Sequence, residues 1–244
     1  GFGTYKNIVH AKDVLALLFL QSGNRFIDVS SQGEISVHFG ATAKNTETTI
    51  ASKALDFYLS FSNPVNPLYT WNEGFSSDRE MFIQNSLAYY FGYASELPFI
   101  RSSNPNLNFS LTTPPQFVKG TTRTTGTIYG IAIPKTAKNQ ALSYSVASTF
   151  ANKTWSEMLV ANGGSNFAFS PARRDVLSQK PTSDPYKALI YDSALVFYPW
   201  TDPNPRSTDP IFRQLISSIT SGVLTTYQAL LQTGGQLQSI GANI

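Results

Sequence analysis

Residues 82–93 read FIQNSLAYYFGY, and their second half, Leu87 to Tyr93, is a continuous apolar and aromatic run broken only by Gly92. A strand with one wet face would alternate apolar and polar residues, whereas an unbroken run predicts a strand covered on both faces. Such a strand needs helices to cover it, so the stretch points to an α/β fold.

The flanks read the same way. Upstream, Ser76-Ser77-Asp78 predicts the cap of a short helix reaching Asn85. Before it, Ile50, Ala54, Phe57, Tyr58 and Phe61 recur at helical spacing behind a cap at residues 45–47, and Asn63-Pro64 stops that helix. Ala11 to Gln21 has an almost wholly apolar body and predicts a buried helix ended at Ser22-Gly23. Phe26 to Phe39 predicts a short strand pair about a turn at Ser31-Gln32-Gly33. Downstream, Leu97 to Ser103 predicts a helical turn, and Asn106–Leu111 and Thr127–Ile133 predict strands on either side of a polar loop. Helices are expected from Lys138-Asn139 to about Ala151, from a Thr154 cap to the Asn162-Gly163-Gly164 break, from Ser170-Pro171, and over 185–196. A Pro-rich loop, Pro199 to Pro210, precedes a helix capped at Ser207 with Ile211, Leu215, Ile219 and Val223 on one face, and 224–240 form the last helix.

The chain has 244 residues, room for one large domain or two small ones, and 41% are hydrophobic, enough for a sizeable core. Charged residues make up only 14%, against a usual quarter, so the surface is dressed largely in Ser, Thr, Asn and Gln. The net charge of +3 is scattered, which excludes a nucleic-acid footprint. With no cysteine, disulfides, thiol catalysis and Cys-based metal sites are excluded. With two histidines a His-rich metal site is a poor reading, and a Ser-His-Asp triad could use only His10 or His38. The longest apolar run, Val14 to Leu20, is far shorter than the ~20 residues of a membrane span. Residues 1–9 do not read as a signal peptide, and a start at Gly-Phe-Gly without Met reads as a chain that begins after processing or truncation.

No phosphate-binding loop, dinucleotide fingerprint, nucleophile elbow or zinc-protease motif occurs. Asp78 and Glu80 flank a helix start, and Asp202 and Asp209 stand in the Pro-rich loop. No pair of carboxylates is nominated for glycoside hydrolysis. Arg173-Arg174 and Lys135 with Lys138 read as solvated helix ends, and the sequons at Asn108 and Asn152 carry little weight.

Three stretches in order resemble the extracellular solute-binding proteins of ABC importers, in the sugar-binding group that includes maltose-binding protein. Residues 82–93 are similar to that family's F-x-x-G-x-x-A-M block, with Ala88 and Gly92 in place. Residues 105–115, PNLNFSLTTPP, resemble the strand that follows. Residues 126–141, GTIYGIAIPKTAKNQA, resemble the G-G-x-x-x-x-I-x-x-x-S-K-N-x-x-A block, a crossover strand entering a helix. Asn85 replaces the block's Gly, Tyr89 its Met, and Thr136-Ala137 stands where Ser is usual. Helix 46–62 and the end of the chain, 199–240, agree more loosely.

The resemblance implies an α/β, periplasmic-binding-protein-like two-lobe (type II) fold, here mostly the second lobe plus part of the first. It implies residues 1–133 in the second lobe, 134–196 returning through the first, and 197–244 as a cleft loop and C-terminal helices packing on the second. It implies capture of a carbohydrate or similar neutral polar solute and delivery to an ABC transporter permease. No cofactor, metal, nucleic-acid partner or catalysis is implied. The protein would be a monomeric bacterial extracellular or periplasmic protein, anchored through a lipidated N-terminus absent from this chain.

Sugars present apolar C–H faces ringed by hydroxyls, which suit aromatic platforms beside planar polar side chains. On this reading Trp200 stacks on the ligand from the Pro-rich loop, near Asp202. Trp71 and Asn72 reach it from the loop 69–73. Tyr93, after the Gly92 turn, and Glu96 stand at the cleft mouth. Tyr129 and Gly130 line the hinge, and Asn7 and His10 open a cleft segment before the first helix. A surface adhesin or assembly subunit on the same fold, or a glycan-cleaving enzyme, are the competing expectations.

Overall fold

A computed structural model describes residues 1–23, 27–30, 35–38, 50–117, 122–162, 169–200, 202 and 204–241. Two compact units divide the chain: unit 1 takes Gly1–Phe91, Pro114–Thr125 and Tyr198–Ile244, and unit 2 takes Gly92–Thr113 and Gly126–Phe197. The chain therefore passes between units four times, at 91/92, 113/114, 125/126 and 197/198. The sequence-based division kept 92–113 and 126–133 with the residues before them; the structure groups both with 134–197.

Unit 1 is built on α1 (Ala11–Gln21), α2 (Ile50–Ser60), α3 (Asp78–Ile83), α9 (Pro205–Thr220) and α10 (Thr226–Gly241). A two-stranded antiparallel sheet, β1 (Ile27–Val29) and β2 (Ile35–Val37), pairs Ile27 with Val37 and Val29 with Ile35. That confirms the strand pair; its turn, like the cap at 45–47 and the glycines 163–164, lies outside the described residues. The α1 helix is buried from Val14 to Gln21, as its apolar body requires. It packs on α2, while α10 packs on α9, α2 and β2. One core results, with Leu15, Leu55, Tyr58, Phe212, Leu230 and Leu237 fully enclosed. The N-terminal segment lies tight on the end of α2: a Cβ on Gly3, whose φ is +98°, would stand 2.6 Å from Ser62 Cβ, so only glycine fits there.

Unit 2 holds a 3-10 turn (Ala94–Glu96), α4 (Leu97–Ser103), α5 (Gln140–Phe150), α6 (Lys153–Asn162), α7 (Arg174–Leu177) and α8 (Pro185–Leu195). Asn139 Oδ1 caps α5 by accepting the Leu142 N–H at 2.9 Å, and Asp184 caps α8 by accepting from Tyr186 and Lys187. Arg101 lies over the Tyr186 ring at 4.5 Å, and the Tyr186 hydroxyl donates to the Phe109 carbonyl at 3.1 Å, which ties α4, the 105–113 segment and α8 together.

Several expectations are corrected. Leu87–Tyr93, Asn106–Leu111 and Thr127–Ile133 form no strand. A strand exists only through a partner ladder, and the described residues supply none for these three segments. The cap of α6 is Asn152, whose Oδ1 accepts from Trp155 N at 2.9 Å, and not Thr154. The α9 helix starts at Pro205 behind Asn204, before the expected Ser207 cap, and carries Pro210 inside its first turns. The helix expected from Ser170-Pro171 begins later, at Arg174.

Candidate functional site

Asn7 organises one end of unit 1. Its Nδ2 donates to the carbonyls of Asn72 (3.0 Å) and Phe75 (3.1 Å). Its Oδ1 accepts from the Thr4 hydroxyl (2.6 Å) and from Trp71 Nε1 (3.1 Å). Its own carbonyl accepts the Asp78 N–H at 3.0 Å. The side chain is thus saturated, and it holds the 69–75 loop against the N-terminal segment. Trp71 is 2% exposed and meets Phe75 at 5.2 Å between ring centroids. It is a core side chain with no face open to a ligand. Asn72 Oδ1 accepts the Gly74 N–H at 2.8 Å and its Nδ2 donates to the Tyr69 hydroxyl at 3.0 Å, so this residue shapes its own loop.

Asp202 is also engaged. Thr208 Oγ1 donates to its carboxylate at 2.8 Å, Asn204 N–H donates at 3.2 Å, and Lys12 Nζ lies 2.8 Å away. The pair joins α1 to the start of α9. Lys12 was not singled out from the sequence, because a charged residue in the first turn of a helix reads as a solvated side chain. Trp200 is half-buried, packs on the unit 1 core, and meets Phe212 edge to face at 5.8 Å.

His10 precedes α1; its ring centroid stands 6.5 Å from that of Tyr90 and its Nδ1 lies 3.9 Å from Asp13. Tyr90 in turn stacks on Phe82 at 5.7 Å and 26°. Next to this cluster Tyr89 is 79% exposed. Reading 87–93 as a buried strand hid it. The usable signal was the adjacent pair Tyr89-Tyr90, whose side chains diverge in extended backbone and so cannot both be covered by a single face.

In unit 2, Tyr93 is half-buried and donates its backbone N–H to Glu96 Oε2 at 3.0 Å, so the carboxylate closes the 3-10 turn. Tyr129 is 81% exposed and meets Phe169 edge to face at 6.1 Å; Gly130 beside it is exposed as well. The structure therefore gathers Asn7, Trp71 and Asn72 into one bonded group inside unit 1. It leaves Tyr89, Tyr129 and, in part, Trp200 and Tyr93 accessible.

Asp78 is buried, and its Oδ1 accepts the N–H groups of Val9 (3.0 Å) and Arg79 (2.9 Å). Burial holds its carboxyl above the ordinary carboxylate range, against the pull of those two bonds. Among the described residues no group of three or more His, Asp or Glu is placed to hold a metal ion, and no helix is long and apolar enough to cross a membrane.

No family description and no curated protein matches the chain. Solved structures do. A solute-binding protein of an ABC transporter from Thermotoga lettingae, bound with α-D-tagatose, superposes with a TM-score of 0.60 at 19% identity, over 98% of this chain and 58% of its own. An oligosaccharide periplasmic-binding protein from Synechococcus, so described provisionally, gives 0.60 at 15% identity, over 99% of this chain and 61% of its own. The chain spans about three-fifths of the length of the structures it matches. It has the periplasmic-binding-protein fold of ABC transporter solute-binding proteins, as a partial two-lobe domain rich in helix.

Proposed function

We propose that this chain belongs to a binding protein that captures a carbohydrate, or a similar neutral polar solute, between two lobes outside the cytoplasm and delivers it to an ABC permease. The observation that carries this reading is the match of nearly the whole chain to two structures of that class, one described by its bound sugar and one as an oligosaccharide binder. The chemistry of the chain supports it. Charge is sparse at 14%, while aromatic residues reach 13% and uncharged polar side chains dress the surface.

On this reading Trp200, Tyr93 and Tyr129 offer ring faces to the sugar, with Tyr89 added as a fourth. All lie within four residues of a crossing between the two units. Gly130 leaves room beside Tyr129, and His10 flanks the Tyr90 ring. Asn7, Trp71, Asn72 and Asp202 serve the scaffold. Ligand closes the lobes by touching both, which is a shift of population toward the closed state.

A thermal-shift panel of hexoses, D-tagatose and short oligosaccharides tests the proposal. A true ligand raises the melting temperature in proportion to the logarithm of its concentration above Kd. A panel without any such response at millimolar sugar overturns the sugar reading, and turnover of a hit replaces it with an enzyme.

A further inference from the structure

Tyr129 and Phe169 are distant in sequence, yet both belong to unit 2 and their rings meet. The centroids stand 6.1 Å apart and the planes 80° apart. Neither ring is inside the unit: Tyr129 is 81% exposed and Phe169 48%. The contact is therefore made in water, in the edge-to-face arrangement that ring quadrupoles favour. Phe169 stands two residues before Pro171, which is buried, so its backbone is anchored on that side.

Two planar apolar surfaces at nearly a right angle make a corner, and a corner reads more of a sugar than a single platform does. One ring stacked beneath a pyranose meets its flat C–H face, which hexoses and pentoses share. A second ring standing at right angles to the first meets what projects from the edge of the sugar. On a hexopyranose that projection is the exocyclic CH2OH, whose methylene is apolar while its hydroxyl can turn to water. A pentopyranose carries a hydrogen there. One methylene against an apolar wall discriminates by roughly 10–200-fold, and a corner open to solvent belongs at the low end of that range.

We propose that Tyr129 and Phe169 form a sugar subsite of unit 2 that selects hexopyranoses over pentopyranoses. Tyr129, the more open ring, takes the C–H face. Phe169 is the specificity-determining residue, packed on the methylene of the CH2OH group. The inference rests on the carbohydrate reading above and adds to it the kind of sugar preferred and the side chain responsible.

Isothermal titration with two matched pairs tests it: D-glucose with D-xylose, and D-galactose with L-arabinose. Each pentose is its partner's ring without the CH2OH. In the parent, a hexose binds about tenfold more tightly than its pentose. Phe169→Ala weakens the hexose alone and brings the pair within about twofold, while Phe169→Tyr keeps the preference. Tyr129→Ala weakens both members by one factor and leaves their ratio unchanged. Both rings are in water, so the melting temperature of every variant matches the parent's. Equal affinity for hexose and pentose in the parent overturns the inference. So does a preference that survives Phe169→Ala, or a fall in melting temperature in that variant, which makes the ring a packing residue. Binding confined to ketoses or oligosaccharides, with none of the four pyranoses bound, overturns it as well. In all these cases the carbohydrate reading stands. If no sugar of any class binds, that reading itself falls, and this inference with it.

Discussion

The indole N–H of Trp71 donates to Asn7 Oδ1 at 3.1 Å inside unit 1. Asn7 also bonds Thr4 and the carbonyls of Asn72 and Phe75, so one short, buried side chain satisfies four groups. Asn7→Ala removes all of these partners at once and should cost about 3 kcal/mol, since buried groups left unpaired carry their full desolvation cost. Urea denaturation measures it. A variant as stable as the parent that no longer binds sugar would return Asn7 to the ligand.

Asp78 sets a pH dependence of definite sign. Burial raises its native carboxyl above the ordinary range, so the folded chain keeps a proton that the unfolded chain has lost. Stability then falls as pH rises from about 4 toward the native value, because the native state binds more protons across that window. Asp78→Asn keeps the Oδ1 that accepts from Val9 and Arg79 and removes the titration. The variant should lose that fall in urea midpoint, and an unchanged pH profile would refute the assignment.

Alkali acts through two other groups. The Tyr58 hydroxyl, fully buried, donates to the Thr4 carbonyl at 2.6 Å, and the Tyr5 hydroxyl donates to the Asp209 carboxylate. Burial pushes both phenols far above their usual range, and Asp209 adds to the effect at Tyr5. The native chain therefore holds two protons that the unfolded chain releases near pH ~10, so stability is full below that pH and is lost above it. Phenolate absorbance during an alkaline titration should show two tyrosines ionising only as circular dichroism reports unfolding. If all twelve tyrosines ionise before the fold is lost, the account of these two sites fails.

Where periodicity and local chemistry decide the outcome, the sequence was legible. The apolar body of α1, the spacing of α2, the helix opened at Asn139 and the terminal helix pair all stand where those signals put them. A strand is different, because its partner comes from elsewhere in the chain. LAYYFGY, NLNFSL and TIYGIAI have strand composition, and nothing local shows that they form no ladder with the described residues. The surroundings of the candidate residues were hidden in the same way. Trp71 and Asp202 have the residue types that bind sugars, but only the fold reveals that Asn7, Lys12 and Thr208 already claim them. Aromatic identity is readable from sequence, whereas exposure is not.

The Lys12–Asp202 pair tests that last point directly. Both side chains are largely buried and 2.8 Å apart, and Thr208 donates to the same carboxylate. Asp202→Ala leaves the ammonium of Lys12 without its partner and should destabilise unit 1 by about 3 kcal/mol, the range for breaking one side of a buried pair. Lys12→Met with Asp202→Leu should recover much of the loss. Sugar affinity should stay within twofold of the parent in both, a ratio of about 0.4 kcal/mol. A large affinity loss at parental stability would put Asp202 in the binding site.

Trp200 and Tyr89 separate packing from binding. Trp200 is half-buried and meets Phe212 edge to face, so Trp200→Ala removes core contact and a candidate platform together. A stability loss of about 2 kcal/mol is expected from the lost burial, and about 1–3 kcal/mol of sugar affinity if the ring stacks on the ligand. Tyr89 carries no such ambiguity. Its side chain is in water, so Tyr89→Ala should leave the urea midpoint unchanged within about 0.5 kcal/mol. If this ring is a platform, the same variant weakens the sugar found by thermal shift about tenfold, near 1.4 kcal/mol. Isothermal titration of both variants gives four outcomes. Loss of affinity at both residues assigns both rings to the sugar. Loss at Tyr89 alone assigns Trp200 to packing, and loss at Trp200 alone makes Tyr89 a bystander. Unchanged affinity in both removes the aromatic platform from this part of the chain.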